Sequence, residues 1–172
     1  MREGVSYPSG VIHSVCWGHN TVWDGESDGV AAGIRLEHDE VNLGGLMERN
    51  RREELEDFED IVKRLKGAWR GRTDIWLLIA ASKCDLYWDR LDEARDYYIP
   101  RGDRDDSPFA RLLMELVGAV GMGNFRQVSV LPFSSRLDTY RFGNDLSVNP
   151  GIDATKSSNL ASGFRETVGR VV

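Results

Sequence analysis

The sequence predicts an α/β fold in which a three-layer, doubly wound parallel sheet lies between helices. Three observations predict it: an unbroken apolar run at 75–81, two further strand-like runs at 10–17 and 127–133, and amphipathic helical patterns between and after them. A strand that is apolar on both faces is typical of a parallel sheet covered by helices. With right-handed crossovers, the order β-α-β-α-β-α gives three parallel strands.

The first strand and first helix have clear boundaries in the sequence. The run GVIHSVCW at 10–17 lies between Pro-Ser-Gly and Gly-His-Asn, and it contains β-branched residues that favour extended backbone. The following segment, TVWDGESDGVAAG, is rich in Gly and Asp and is predicted to be a loop. From about residue 41 to 69, apolar residues recur every three or four positions, with Glu and Arg opposite, which predicts a helix. Its apolar stripe consists of Leu55, Phe58, Val62, Leu65 and Trp69.

The second half of the chain continues the alternation. Residues 89–98 predict a short helix that ends before Pro100. Ser107 and Pro108 predict the cap and first residue of another helix, which ends near Gly121. The segment 136–153 is predicted to be irregular. The buried faces of the third and the C-terminal helices are predicted to consist of Phe109, Leu112, Leu113, Leu116, Val117 and Val120, and of Leu160, Phe164, Val168 and Val171.

Composition excludes several classes of function. The 172 residues suffice for a single domain, predicted over 1–172. No apolar run approaches the roughly 20 residues of a membrane span, and no signal peptide is recognisable at the N-terminus, so we expect a cytoplasmic protein. The net charge of −6 argues against a general nucleic-acid binder. Cys16 and Cys84 each lie in or beside an apolar strand, which favours buried free thiols over a disulfide.

Polar clusters follow two of the predicted strands. Ser82-Lys83-Cys84-Asp85 comes directly after the strand at 75–81, and Ser134-Ser135-Arg136 comes after the strand at 127–133. In open α/β sheets, ligands bind beyond the carboxyl ends of the strands. One carboxylate can accept hydrogen bonds from both N–H donors on the edge of guanine, and the stem of a lysine can lie along a flat base.

These clusters resemble two motifs of the P-loop GTPases. LLIAASKCDL resembles Asn-Lys-x-Asp at the end of a buried strand, and QVSVLPFSSR resembles the Ser-Ala-Lys motif that ends the next strand. The resemblance implies that Lys83 stacks on the guanine base and that Asp85 binds its edge. Ser82 stands at the Asn position. The loop that supports the ring would be formed by Ser134, Ser135 and Arg136, the last replacing Lys.

The phosphate-binding elements of that family have no counterpart in the sequence. The chain lacks G-x-x-x-x-G-K-[ST] and Asp-x-x-Gly, and the glycine-rich stretch at 118–125 follows a helix instead of beginning one. The resemblance therefore covers the C-terminal part of a G domain, its fourth to sixth strands. It implies GTP or GDP binding through the base, with no catalytic or metal-ligating residue in this chain. Hydrolysis and Mg²⁺ would require the missing N-terminal half, so we expect part of a longer or split protein.

Alternatives follow from the same residues. Without a neighbouring strand, 10–17 would be an open apolar edge that pairs with a protein partner or a second copy. A pseudo-GTPase that serves as an interaction module, through this edge or the charged helix 47–66, is the first alternative. The second is an unrelated doubly wound enzyme that uses His19 and Asp85. In the simplest interpretation, Lys83 and Asp85 merely begin an exposed loop, with Asp85 capping a turn.

Overall fold

The fold is built on a small parallel sheet. A computed structural model describes residues 8–19, 43–102, 106–135, 137–142 and 146–172. Within them, three parallel strands lie side by side in chain order: β1 (Gly10–Val15), β2 (Ile75–Ala81) and β3 (Phe125–Pro132). The predicted α/β class and the three-stranded parallel sheet are confirmed, and β2 has the predicted bounds.

Helices connect and follow the strands. The α-helices are α1 (Leu43–Ala68), α2 (Leu91–Tyr98), α3 (Pro108–Val120) and α4 (Ala154–Val171). A 3₁₀ segment that is kinked at Tyr87 spans Cys84–Arg90, and a short 3₁₀ helix spans Met122–Asn124. As predicted, Ser107 caps α3, its hydroxyl accepting from the Ala110 amide at 3.0 Å. In the part of the chain that the structure describes, no helix is both long enough and apolar enough to cross a membrane.

Both faces of β2 are buried. Leu77 and Ile79 lie on the face that packs against α1 and α3, and Leu78, on the opposite face, is also fully buried. Residues of β1 pair with β2 in register, from Gly10 opposite Trp76 to Val15 opposite Ala81. Because the strands are parallel, their carboxyl ends all lie at the same end of the sheet.

β1 and β3 are predicted at 10–17 and 127–133, and their observed ends differ by one or two residues. The structure differs from the predicted elements more substantially in two places. The segment after β2 forms a 3₁₀ helix at Cys84–Arg90 before α2 begins, whereas the helical pattern predicted a start at residue 89. Residues predicted to be irregular form an antiparallel pair, β4 (Tyr140–Phe142) and β5 (Leu146–Val148). Each of these strands has only three residues, too few for alternation to be recognised in a sequence.

An aromatic stack lies at the centre of the core. Phe58 of α1 is fully buried and stacks on Phe109 of α3, with ring centroids 4.0 Å apart. The His13 ring of β1 stacks on Phe58 at 5.1 Å. The Nε2 atom of His13 is buried and has no hydrogen-bond partner among the described residues. Burial lowers the pKa of His13, and attraction to Asp57 offsets part of this effect.

His13→Phe should make the fold less sensitive to acid. Because the pKa of His13 is lowered in the folded chain, the unfolded chain binds the proton first as the pH falls. The contribution of neutral His13 to the free energy of unfolding is therefore fully present above about pH 6.5, the ordinary histidine pKa, and it decreases below that pH. Urea unfolding at about pH 7.5 and about pH 5.5 should show a smaller loss of stability in His13→Phe than in wild type.

The comparison between the two proteins isolates His13. Burial also lowers the pKa of His19, and it raises the pKa of Glu54, which has the opposite effect on acid stability. Both groups remain in the variant, so their contributions cancel in the difference. Equal losses of stability in wild type and His13→Phe would contradict the prediction.

Candidate functional site

The three strand ends are joined by backbone hydrogen bonds. The Ser82 amide donates to the Val15 carbonyl of β1 at 2.7 Å, and the Cys84 amide donates to the Phe133 carbonyl after β3 at 3.3 Å. The residues that follow β1, β2 and β3 therefore form one continuous surface. The predicted clusters at Ser82–Asp85 and at Ser134 and Ser135 are part of it.

Asp85 lies in the middle of this surface, in the first turn of the 3₁₀ helix. Its side chain is buried, and the residue is 1% exposed. The Ser134 hydroxyl donates to Oδ1 at 2.6 Å, while Oδ2 is buried and has no hydrogen-bond partner among the described residues. The interpretation in which Asp85 merely begins an exposed loop is therefore wrong.

The unpartnered oxygen of Asp85 has a chemical consequence. A buried acceptor without a donor costs about 1–3 kcal/mol, and more when it is charged. A ligand that offers two N–H donors on one edge would satisfy it. Because Asp85 is 1% exposed, such a ligand reaches Oδ2 only when the surrounding side chains move apart.

Ser134 and Ser135 have different environments. Ser134 is 1% exposed, and its carbonyl accepts from the Ser157 hydroxyl of α4 at 3.0 Å. Ser135 is exposed and lines a groove of about 700 Å³ between this loop and α4. The third residue of the predicted cluster, Arg136, lies outside the described residues.

Ser82 makes hydrogen bonds within the fold, to β1 and to Tyr87. Its hydroxyl donates to the Val15 carbonyl at 2.9 Å and accepts from the Ser14 hydroxyl at 3.1 Å. Its carbonyl accepts from the Tyr87 hydroxyl at 2.9 Å. These bonds attach the end of β2 to β1 and to the 3₁₀ helix. The side chain at the predicted Asn position therefore positions the two strands.

Lys83 links β2 to the segment after β1. Its backbone is left-handed, with φ 53° and ψ 29°, a conformation that non-glycine residues adopt only where their surroundings enforce it. Its Nζ donates to the His19 carbonyl at 2.8 Å. The stem of Lys83 therefore extends across the gap between the two strand ends.

His19 is packed into the same surface. It is 4% exposed, its ring stacks on Tyr87 with centroids 5.3 Å apart, and Nδ1 lies 3.2 Å from the Cys16 carbonyl. Burial lowers the pKa of His19, so the ring is neutral at physiological pH. An enzyme that uses His19 and Asp85 would need both side chains to become accessible.

Sequence reasoning missed three buried polar residues that hold the turn after β1. Glu54 of α1 accepts from the Cys16 amide at 2.9 Å, and Asn50 donates to the Gly18 carbonyl at 2.9 Å. The Tyr98 hydroxyl of α2 accepts from the Trp17 amide at 2.8 Å. Asn50 and Glu54 precede Phe58 by eight and four positions, so they continue its stripe towards the N-terminus. This helical spacing is the sequence signal that could have indicated their burial.

The two cysteines are free and buried, as predicted. Burial, the largest cause, raises the pKa of Cys16 to about 12, and it also raises the pKa of Cys84 to about 12. At neutral pH both side chains are therefore uncharged thiols, which are poor nucleophiles. Their place at the strand ends does not by itself indicate thiol chemistry.

The arrangement can thus present a buried carboxylate and a lysine stem at the end of the central strand. Comparison with protein-family models, with curated proteins and with solved structures found no match for this chain.

Proposed function

We propose that this chain recognises the base of guanine nucleotides, as the base-binding part of a GTPase-like domain of the P-loop type. The observation that carries the proposal is the state of Asp85. Its carboxylate is held beyond the central strand by Ser134, and its second oxygen has no hydrogen-bond partner among the described residues. Lys83 lies two residues before it and is fixed by the His19 carbonyl.

The topology of the sheet supports the proposal. Strands β1, β2 and β3 are parallel and adjacent in chain order, which is the arrangement expected for the fourth to sixth strands of such a domain. In a doubly wound, P-loop NTPase-like layering, the guanine ring would lie between the Ser82–Asp85 segment and the loop that contains Ser134 and Ser135. Ligands of open α/β sheets bind beyond the carboxyl ends of the strands, where these two segments lie.

The chemistry assigned to the chain is recognition without phosphoryl transfer. Guanine presents a ring N–H and an exocyclic amino group on one edge, and an ionised carboxylate can accept both. Adenine has no such pair of donors. Because the sequence contains no phosphate-binding loop, we expect guanosine, GDP and GTP to bind with similar affinity and Mg²⁺ to have little effect.

A competition titration tests the proposal. A fluorescent GDP analogue should bind saturably and be displaced by GTP and guanosine, but not by ATP. Asp85→Ala should weaken binding at least about tenfold, since it removes a charged acceptor of two hydrogen bonds. Asp89→Ala is the matched control, because Asp89 is exposed and lies four residues further along the chain. Displacement by ATP, or equal binding by both variants, would contradict base recognition at Asp85.

A second candidate is a pseudo-GTPase that acts as a protein-interaction module. The observation that favours it is the edge of the sheet: among the described residues, β1 pairs only with β2, and its Ile12 is 46% exposed. Exposed apolar edges are sites of strand pairing. Absence of GDP binding together with a concentration-dependent dimer in sedimentation experiments would favour this candidate, with a second copy as the partner.

A further inference from the structure

We infer that Asn50, Glu54 and Tyr98 are positioning residues, which fix the turn at residues 16–19 and thereby determine where the ammonium group of Lys83 lies. This inference rests on the proposed function, because it gives the buried network a role in presenting Lys83 to a base. The residues belong to α1 and α2, and none of them lies in the motifs that resemble a GTPase.

The turn itself has an unfavourable backbone. Trp17 has φ 50° and Gly18 has φ 85°, so two consecutive residues are left-handed. Steric repulsion disfavours this conformation for tryptophan, and it persists only where other contacts enforce it. Gly18 also lies close to α1, because a Cβ atom there would be 2.5 Å from the Met47 carbonyl oxygen. The turn therefore depends on its surroundings for its shape.

Side chains from two helices supply those contacts. Glu54 accepts from the Cys16 amide, Tyr98 accepts from the Trp17 amide, and Asn50 donates to the Gly18 carbonyl. The Tyr98 hydroxyl in turn donates to Glu54. Three successive residues of the turn are thus bonded through their backbone to buried side chains. In a buried network of this kind, each member constrains the position of the others.

The turn is connected to Lys83 by its last residue. Lys83 Nζ donates to the His19 carbonyl at 2.8 Å, and the His19 ring packs on Tyr87. Holding the ammonium group on a fixed carbonyl keeps the four-carbon stem extended between the two strand ends. A restrained stem loses less conformational entropy when a flat ring packs on it. The network would therefore improve base binding without touching the base.

The accessibility of the Lys83 amine tests the inference without any nucleotide. Limited acetylation with acetic anhydride, followed by peptide mass spectrometry, gives the rate at Lys83 relative to Lys63, whose side chain is 63% exposed. Tyr98→Phe removes the hydroxyl that joins Trp17 to Glu54. We expect it to raise the acetylation rate of Lys83 relative to Lys63 about tenfold, a factor that corresponds to the loss of one hydrogen bond. Tyr97→Phe, whose hydroxyl takes no part in these bonds, should leave the ratio unchanged.

A second variant allows the test to be made if Tyr98→Phe does not fold. Asn50→Asp keeps the shape of the side chain and removes the donor to the Gly18 carbonyl, so it should raise the same ratio. Circular dichroism establishes which variants are folded under the labelling conditions. An unchanged ratio in a folded Tyr98→Phe or a folded Asn50→Asp protein would overturn the inference.

Nucleotide binding adds a readout that general destabilisation would not produce. Tyr98→Phe should weaken GDP binding about tenfold, and it should have no further effect in the Lys83→Ala background. Equal weakening in both backgrounds would overturn the inference. If no variant and not even wild type binds GDP, the proposed function fails, whereas the labelling ratio still decides whether the network positions Lys83.

Discussion

Asp85→Asn should transfer the preference of this chain from guanine to xanthine nucleotides. Guanine offers two donors to the carboxylate of Asp85, whereas xanthine carries a carbonyl oxygen in place of the exocyclic amino group. An asparagine side chain presents one acceptor and one donor, which matches xanthine and leaves the amino group of guanine facing another donor. A site built for hydrogen bonds rejects the mismatched ligand by as much as about 10⁴-fold.

The measurement is a pair of titrations on each protein. Wild type should bind GDP more tightly than xanthosine diphosphate (XDP), and Asp85→Asn should reverse this order of affinity. Asp89→Asn makes the same chemical change at an exposed position four residues away and should keep the wild-type order. Because Oδ1 accepts from Ser134, we expect the amide oxygen to take that place, where its second lone pair can accept from the ring N–H, and the NH₂ group to face the carbonyl oxygen of xanthine. An Asp85→Asn protein that still prefers GDP would show that Asp85 does not contact the base edge.

Much of the fold could be predicted because single segments determine it. Every residue of β2, Ile75–Ala81, is apolar, so its burial on both faces and its bounds follow directly from the sequence. Ser107 and Pro108 determine the start of α3, because a serine hydroxyl can cap the helix and proline is suited to its first turn. These features require no knowledge of distant residues.

The conformation of Lys83 could not be predicted in the same way. The spacing of lysine and aspartate after a strand places both at the correct edge of the sheet, but it does not determine backbone angles. Lys83 is left-handed and precedes the 3₁₀ segment because contacts distant in sequence override its local preference: its own Nζ donates to the His19 carbonyl, and the next amide, of Cys84, donates to the Phe133 carbonyl. Whether these residues bind a base remains the prediction that the titrations test.

The buried polar network was missed because Asn50 and Glu54 resemble surface residues, although their helical spacing continues the stripe of Phe58. Asn50 and Glu54 lie in a stretch rich in Arg and Glu, which favours a solvated helix face, yet they are 3% and 5% exposed. Their burial is possible because the turn after β1 offers backbone groups that need partners. Only the position of that turn beside α1, which is a tertiary contact, reveals why a carboxylate lies there.

The same helix carries a residue whose loss should strongly destabilise the fold. Phe58 is fully buried between His13 of β1 and Phe109 of α3, with ring centroids 5.1 Å and 4.0 Å away. Phe58→Ala removes apolar contacts on both sides and leaves a cavity, and such changes cost about 3–5 kcal/mol. That is a large part of the roughly 5–15 kcal/mol that stabilises a typical domain. We expect a marked fall in the urea midpoint.

Phe164→Ala is the matched control for this prediction. Phe164 of α4 also contacts a phenylalanine, Phe133, at 5.0 Å, but it is only half-buried, so the same chemical change should cost less. Because α1 also carries Asn50 and Glu54, a loosened Phe58 stack should release the turn after β1 as well. Lys83 should then acetylate faster in Phe58→Ala and not in Phe164→Ala. Equal losses of stability in the two variants would mean that α1 is not anchored to the sheet through Phe58.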